Sequence, residues 1–173
     1  RIGYNRIMNL RKLTVHAFLL VSLLLGLAAA LPASGVSSAP VAVTGADLMA
    51  AVQALRAKQG LPPLIVDAAI TYAAQRHSEY QASIGTYSHI GEGGTRAKDR
   101  AIAAGFGGGA TIWMSENVAM ANNRTGLDVV LYTYWGDYDH WNTMTNPLYI
   151  YGGAGAAEKD GVIYYTLDTG YIA

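Results

Sequence analysis

From Thr44 onward, hydrophobic residues fall first at helical spacing and later in short β-rich runs. Leu48, Val52 and Leu55, with Ala51, form a stripe that predicts a helix opening at Thr44-Gly45-Ala46-Asp47. Thr44 is the expected cap, and Asp47 suits the positive start of the helix. Gly60 stops this helix and Pro62-Pro63 prevents its restart. A second helix, capped by Asp67 and running to about Ile84, carries the stripe Ile70, Ala73, Ala74, His77, Gln81 and Ile84. A short third helix is predicted over 96–104, between Thr95 and Gly105. A fourth opens at Thr125-Gly126-Leu127-Asp128 and buries Leu127, Val130, Leu131, Tyr134 and Trp135. Asn146-Pro147 then breaks the chain. Tyr149–Ala157 and Val162–Thr169 read as paired strands, with Asp160-Gly161 as the hairpin turn. Gly152, Gly153 and Gly155 leave room for something to approach the backbone of the first strand. Helices first and strands last predict an α+β fold, with helices packed on an antiparallel sheet.

The segment before Thr44 has a different character. Arg1, Arg6, Arg11 and Lys12 precede an almost unbroken apolar run, Val15–Leu31, followed by the small residues Ala28-Ala29-Ala30 and Ala33-Ser34-Gly35. Basic, apolar, then small is the order of a secretory signal, so residues 1–35 are expected to be removed on export, with cleavage near Ala30 to Gly35. Arg1 is not an initiator, and Met8 is a candidate start. The apolar run is on the short side for a membrane span and contains His16, Ser22 and Gly26. Residues 36–44 read as a linker and 45–173 as one domain.

Removing that head changes the charge. The full chain of 173 residues has a formal net charge of zero, but from Gly45 onward eight basic side chains face twelve acidic ones. A mildly acidic domain is a poor partner for nucleic acid or an anionic membrane surface. No cysteine is present, which excludes a disulfide, a thiolate metal site and a cysteine nucleophile. Gly107-Gly108-Gly109 lacks the residues of a phosphate-binding loop, and no HExxH, GxSxG or Ser-Lys pattern marks a hydrolase.

The candidate chemistry is gathered around Ser115-Glu116-Asn117-Val118-Ala119. Upstream lies Tyr87-Ser88-His89 and downstream Asp139-His140-Trp141-Asn142. Two separated histidines around a glutamate are the linear form of a two-imidazole, one-carboxylate pocket. His77, on the apolar stripe, reads instead as a packed core residue.

These segments also resemble a known family. Ala54–Leu64, Ala73–Glu79, Tyr87-Ser88-His89, Asp99–Phe106, Ser115-Glu116-Asn117-Val118, Trp135 with His140-Trp141-Asn142-Thr143-Met144, and Gly152-Gly153-Ala154-Gly155 follow one another as in bacterial SCP-like domains. Those domains belong to the CAP superfamily of cysteine-rich secretory, antigen 5 and pathogenesis-related 1 proteins. The resemblance implies an α-β-α sandwich around a small antiparallel sheet. It also implies a cleft of two histidines and two acidic residues that in some members binds zinc or another divalent ion. Carried over, the cleft residues are His89, Glu116 and His140, with His89 and His140 as the metal ligands. Tyr138 falls near the place of the family's second glutamate. If the helix carrying Trp135 continues, Asp139 returns to its face and partly replaces that carboxylate, while Asp137 points away.

Together these readings imply a secreted, monomeric, non-enzymatic module that binds a small ligand or an extracellular partner. The alternative is a metal-assisted hydrolase of peptide or cell-wall material, with Glu116 as general base.

Overall fold

The computed structural model describes residues 42–173, so the expected signal segment lies outside the described residues. Thr44 closes a capping box with Asp47 at the start of α1, Gly45–Lys58. A two-residue strand β1, Ile65–Val66, leads into α2, Ala68–Ile84. Asp67 caps α2 by accepting from the Ala69 and Ile70 N–H groups, and Gly85, at φ 71°, ends it in the left-handed region. A 3₁₀ turn at Glu92–Gly94 precedes α3, Ala97–Ala103. β2, Ile112–Asn122, follows, then α4, Leu127–Val129, which widens into a single π-type turn over Val130–Tyr134. α5 spans Tyr138–Thr145, β3 Tyr151–Lys159 and β4 Val162–Ile172.

The strand order is β1-β3-β4-β2. β3 and β4 form the expected hairpin, with Lys159 opposite Val162 and both turn residues at positive φ, Asp160 at 53° and Gly161 at 78°. β2 pairs antiparallel with β4, while β1 pairs parallel with β3. The sheet is therefore mixed rather than wholly antiparallel.

Alternation along the strands separates two faces. On one lie Ile163, Tyr165 and Leu167 of β4 with Ala119 and Ala121 of β2, packed with Leu48, Leu55, Leu131, Trp135 and Met144. Burying each large aliphatic side chain in such a cluster contributes about 1.5–3 kcal/mol. On the other face Thr166 and Asp168 look toward α2, and Ile112 joins Ile70, Ala101 and Phe106 in a smaller cluster. This gives α1, α4 and α5 on one side, α2 and α3 on the other, and the sheet between.

The glycines of β3 explain how closely α2 lies. A Cβ added at Gly153 would sit 2.3 Å from the Thr71 nitrogen, and one at Gly155 would sit 2.4 Å from the Gln75 Cα. What approaches this strand is the helix backbone, not a ligand. Arg56 ties the opposite side together. Its side chain is fully buried and donates to the carbonyls of Pro62, Met144, Asn146 and Tyr149.

Gly153→Ala is expected to force α2 off the sheet and destabilise the domain by about 3 kcal/mol, the upper part of the usual overpacking range. Chemical denaturation checks this. Gly161→Asn, at a half-buried turn position whose positive φ Asn tolerates, should have a far smaller effect.

Candidate functional site

β2 brings the central glutamate to the α2 face of the sheet. Glu116 is opposite Asp168 of β4, and its side chain is only 5% exposed. Both of its oxygens are engaged. Oε1 lies 2.9 Å from His89 Nδ1, and Oε2 accepts from Arg100 Nη2. His77 Nε2 is 3.8 Å from the same Oε2.

Each neighbour is held in turn. Arg100, on α3, also donates through Nη1 to the Thr95 carbonyl at 2.8 Å. His77, on the buried stripe of α2, donates from Nε2 to the Ser88 carbonyl at 2.6 Å. Gln81 accepts from the Ser88 N–H at 3.1 Å. These two bonds fix the turn that delivers His89, whose ring remains half exposed. His77 is thus the hydrogen-bonded core residue its position predicts, and it also supports the site. Burial holds its imidazole below the ordinary histidine pKa, outweighing the nearby Glu116 charge.

Asp168 is the residue that sequence reasoning missed. It is fully buried behind Glu116, and neither carboxyl oxygen has a hydrogen-bond partner among the described residues. Burial, reinforced by the charge of Glu116, pushes its pKa well above the ordinary carboxylate value; Arg100 opposes the shift. The signal was available, because an aspartate on the inward phase of an apolar strand has to be neutral or paired. Arg100 carried no such signal.

His140 belongs to α5 on the other face. Ser115 and Asn117 leave β2 on that side: Ser115 Oγ lies 2.7 Å from Thr143 Oγ1, and Asn117 Nδ2 donates to the His140 carbonyl at 2.9 Å. Adjacent strand residues point oppositely, so Glu116 and Asn117 serve the two histidine segments separately. The His140 ring bonds neither Glu116 nor His89. Its Nδ1 lies 2.5 Å from Asp137 Oδ2.

Asp137, not Asp139, is the carboxylate at this histidine. The helix carrying Trp135 does not continue. Its last turn widens, Trp135 and Gly136 leave the helix, and Asp137 caps α5 by accepting from the Asp139 and His140 N–H groups. The four-residue spacing from Trp135 to Asp139 therefore no longer defines one face. Asp139 is exposed, and its carboxylate makes no bond among the described residues.

Two depressions flank these residues. One, of about 410 Å³, is lined by His77, Tyr80, Glu92, Thr95 and Arg100 among others. The other, of about 310 Å³, is formed by Tyr87, Val118, Ala119, Met120, Tyr134 and His140.

The sequence model of the cysteine-rich secretory protein family matches residues 49–169, the span that holds the glutamate–histidine segments and the hairpin. The chain belongs to this family. No curated protein matches the CAP chain. Among solved structures, it is similar to an outer surface protein from Borrelia burgdorferi, with a TM-score of 0.63 and 16% identity over 77% of this chain and all of that one. It is also similar to an extracellular protein containing a SCP domain from Bacillus anthracis, with a TM-score of 0.56 and 21% identity. That match covers 72% of this chain and 39% of the Bacillus chain. These likenesses are of fold.

For a metal, the donor chemistry of the CAP site is partial. His89 and His140 each have a carboxylate on Nδ1, the arrangement that orients a ligating imidazole through its other nitrogen. Glu116 is already committed, however, and among the described residues no three His, Asp or Glu side chains are grouped as a metal site. The set does not fit a closed protein-ligated centre.

The Asp168 carboxyl gives a pH test. Its raised pKa means that the folded state keeps a proton that the unfolded chain releases above about pH 4. Its contribution is fully present below that value and is lost as pH rises through the raised folded pKa. Asp168→Asn should therefore gain stability relative to the parent as pH rises above about 4. Denaturation at several pH values checks this; a constant difference would refute it.

Proposed function

We propose that this chain is an extracellular CAP module that binds a ligand without turning it over. The observation that carries this reading is the double engagement of Glu116. A general base must be able to reach a water or substrate, and the Glu116 side chain is only 5% exposed. Here one oxygen is taken by Arg100 and the other by His89. The carboxylate orients its neighbours rather than reaching outward.

Export is supported by the basic-apolar-small order of residues 1–35, and by the outer-surface and extracellular descriptions of the two similar structures. Among the described residues no helix is long and apolar enough to cross a membrane. The groups available to an incoming ligand are the second nitrogens of His89 and His140 and the aromatic walls beside His140. A divalent ion such as zinc would meet one of these imidazoles at a time, so water or another ligand would complete its coordination.

Zinc titration by calorimetry tests the reading, with casein and peptidoglycan hydrolysis measured in parallel. The expected result is zinc binding that weakens at acidic pH, because protons compete for imidazole nitrogens whose ordinary pKa is about 6.5. His89→Ala and His140→Ala should each weaken it. Glu116→Gln should lower affinity by roughly 10–100-fold, as loss of a ligand-orienting partner does. Zinc-stimulated hydrolysis abolished by Glu116→Gln would overturn the proposal in favour of a hydrolase.

A further inference from the structure

β2 is an edge strand of the sheet among the described residues. At the two ends of its ladder with β4, Thr111 accepts from Ala173 and Asn123 donates to Gly161. Odd-numbered residues thus turn their main-chain groups toward β4, and even-numbered ones turn theirs to the open side. The Val118 carbonyl confirms the phase, because Trp135 Nε1 reaches it from that side at 3.1 Å. The outward N–H and C=O groups of Met114, Glu116 and Met120 have no hydrogen-bond partner among the described residues. A protein that leaves such an edge open leaves a template for another strand.

Val118, Ala119 and Met120 of this edge form the floor of the 310 Å³ depression. Tyr87, Val118 and Met120 lie on the α2 side of the sheet plane, and Ala119, Tyr134 and His140 on the other. The two sides differ chemically. The first is apolar and aromatic. The second is bordered by the exposed Asp137 carboxylate bonded to His140. No lysine or arginine lines the depression.

We propose that the β2 edge binds an extended peptide by strand addition. Neighbouring peptide residues project to opposite sides of the sheet. One therefore places an apolar side chain against Tyr87 and Met120, and the next places a basic side chain toward Asp137. Main-chain bonds to Met120, beyond the Val118 carbonyl that Trp135 already occupies, hold the peptide, and the two unlike walls select an apolar-basic alternation. This names the partner of the binding site and rests on the reading that the site binds rather than turns over.

The test uses a fluorescein-labelled nonapeptide of alternating leucine and lysine, and a scrambled peptide of the same composition, followed by fluorescence anisotropy. Met120→Pro removes one outward N–H without touching the β4 ladder, a substitution that edge strands accept. Met120→Ala keeps that N–H and shortens the side chain. Asp137→Asn keeps the cap of α5 and removes the charge. Expected are binding of the alternating peptide at least ten-fold tighter than the scrambled one, and at least ten-fold weakening by Met120→Pro with an unchanged melting temperature. Met120→Ala should weaken binding less than three-fold, and Asp137→Asn should weaken it and reduce its salt dependence. Equal binding of the two peptides, or parent-like binding by Met120→Pro, would overturn the inference. So would a concentration-dependent dimer, abolished by Met120→Pro, that binds no peptide. Zinc binding measured on the same variants separates the two ideas: intact zinc binding without peptide binding ends this inference and leaves the binding reading standing.

Discussion

The contact on which the candidate site depends is the ion pair between Glu116 and Arg100. Both side chains are largely removed from water, so neither charge can be stranded cheaply; losing one partner of such a pair costs about 3–5 kcal/mol. The pair sets the state of everything around it. It leaves one glutamate oxygen to fix the His89 ring, and it places a negative charge beside Asp168 that helps keep that carboxyl protonated. It also binds α3 to β2, so the loop carrying His89 is trapped between two anchored elements. The arrangement favours rigidity over proton transfer.

Much of the scaffold could be read before the structure. The first two helices, their caps and the Asp160-Gly161 hairpin follow from short-range rules that act within a few residues. The sheet's parallel edge did not, because β1 has only two residues and exists through its pairing with β3. Nor did the full length of β2, whose apolar positions do not alternate cleanly. The same division runs through the site. Glu116 and His89 meet as expected. His140 and its carboxylate lie elsewhere because a widened helical turn at Val130–Tyr134 resets the helix phase before Asp137. A helix-face argument from Trp135 could not see that turn. Arg100 and Asp168 were hidden for another reason: their importance lies in contacts between residues far apart in sequence.

The two histidine segments use adjacent residues of one strand in opposite directions. Glu116 reaches one layer and Asn117 the other, so this adjacent pair joins both helical layers through a single peptide unit. This explains why the pair sits in a strand rather than a loop. Only pleated backbone sends neighbouring side chains through opposite faces of a sheet. It also means that a shift of β2 by one residue would exchange the two polar systems and break both.

Arg56 has a consequence for how the domain assembles. Three of its four carbonyl partners lie 88, 90 and 93 residues away in sequence. Until that later segment arrives, the helix around Arg56 cannot bury its guanidinium without leaving the charge unsolvated. Docking of α1 therefore waits for almost the whole chain to be made, and it closes a long loop at an entropic cost that local contacts do not share. On a ribosome, α1 would emerge before the other described elements and lock last. During that interval its apolar stripe is uncovered, which makes the earliest element synthesised in this domain the one most in need of protection while the rest is made.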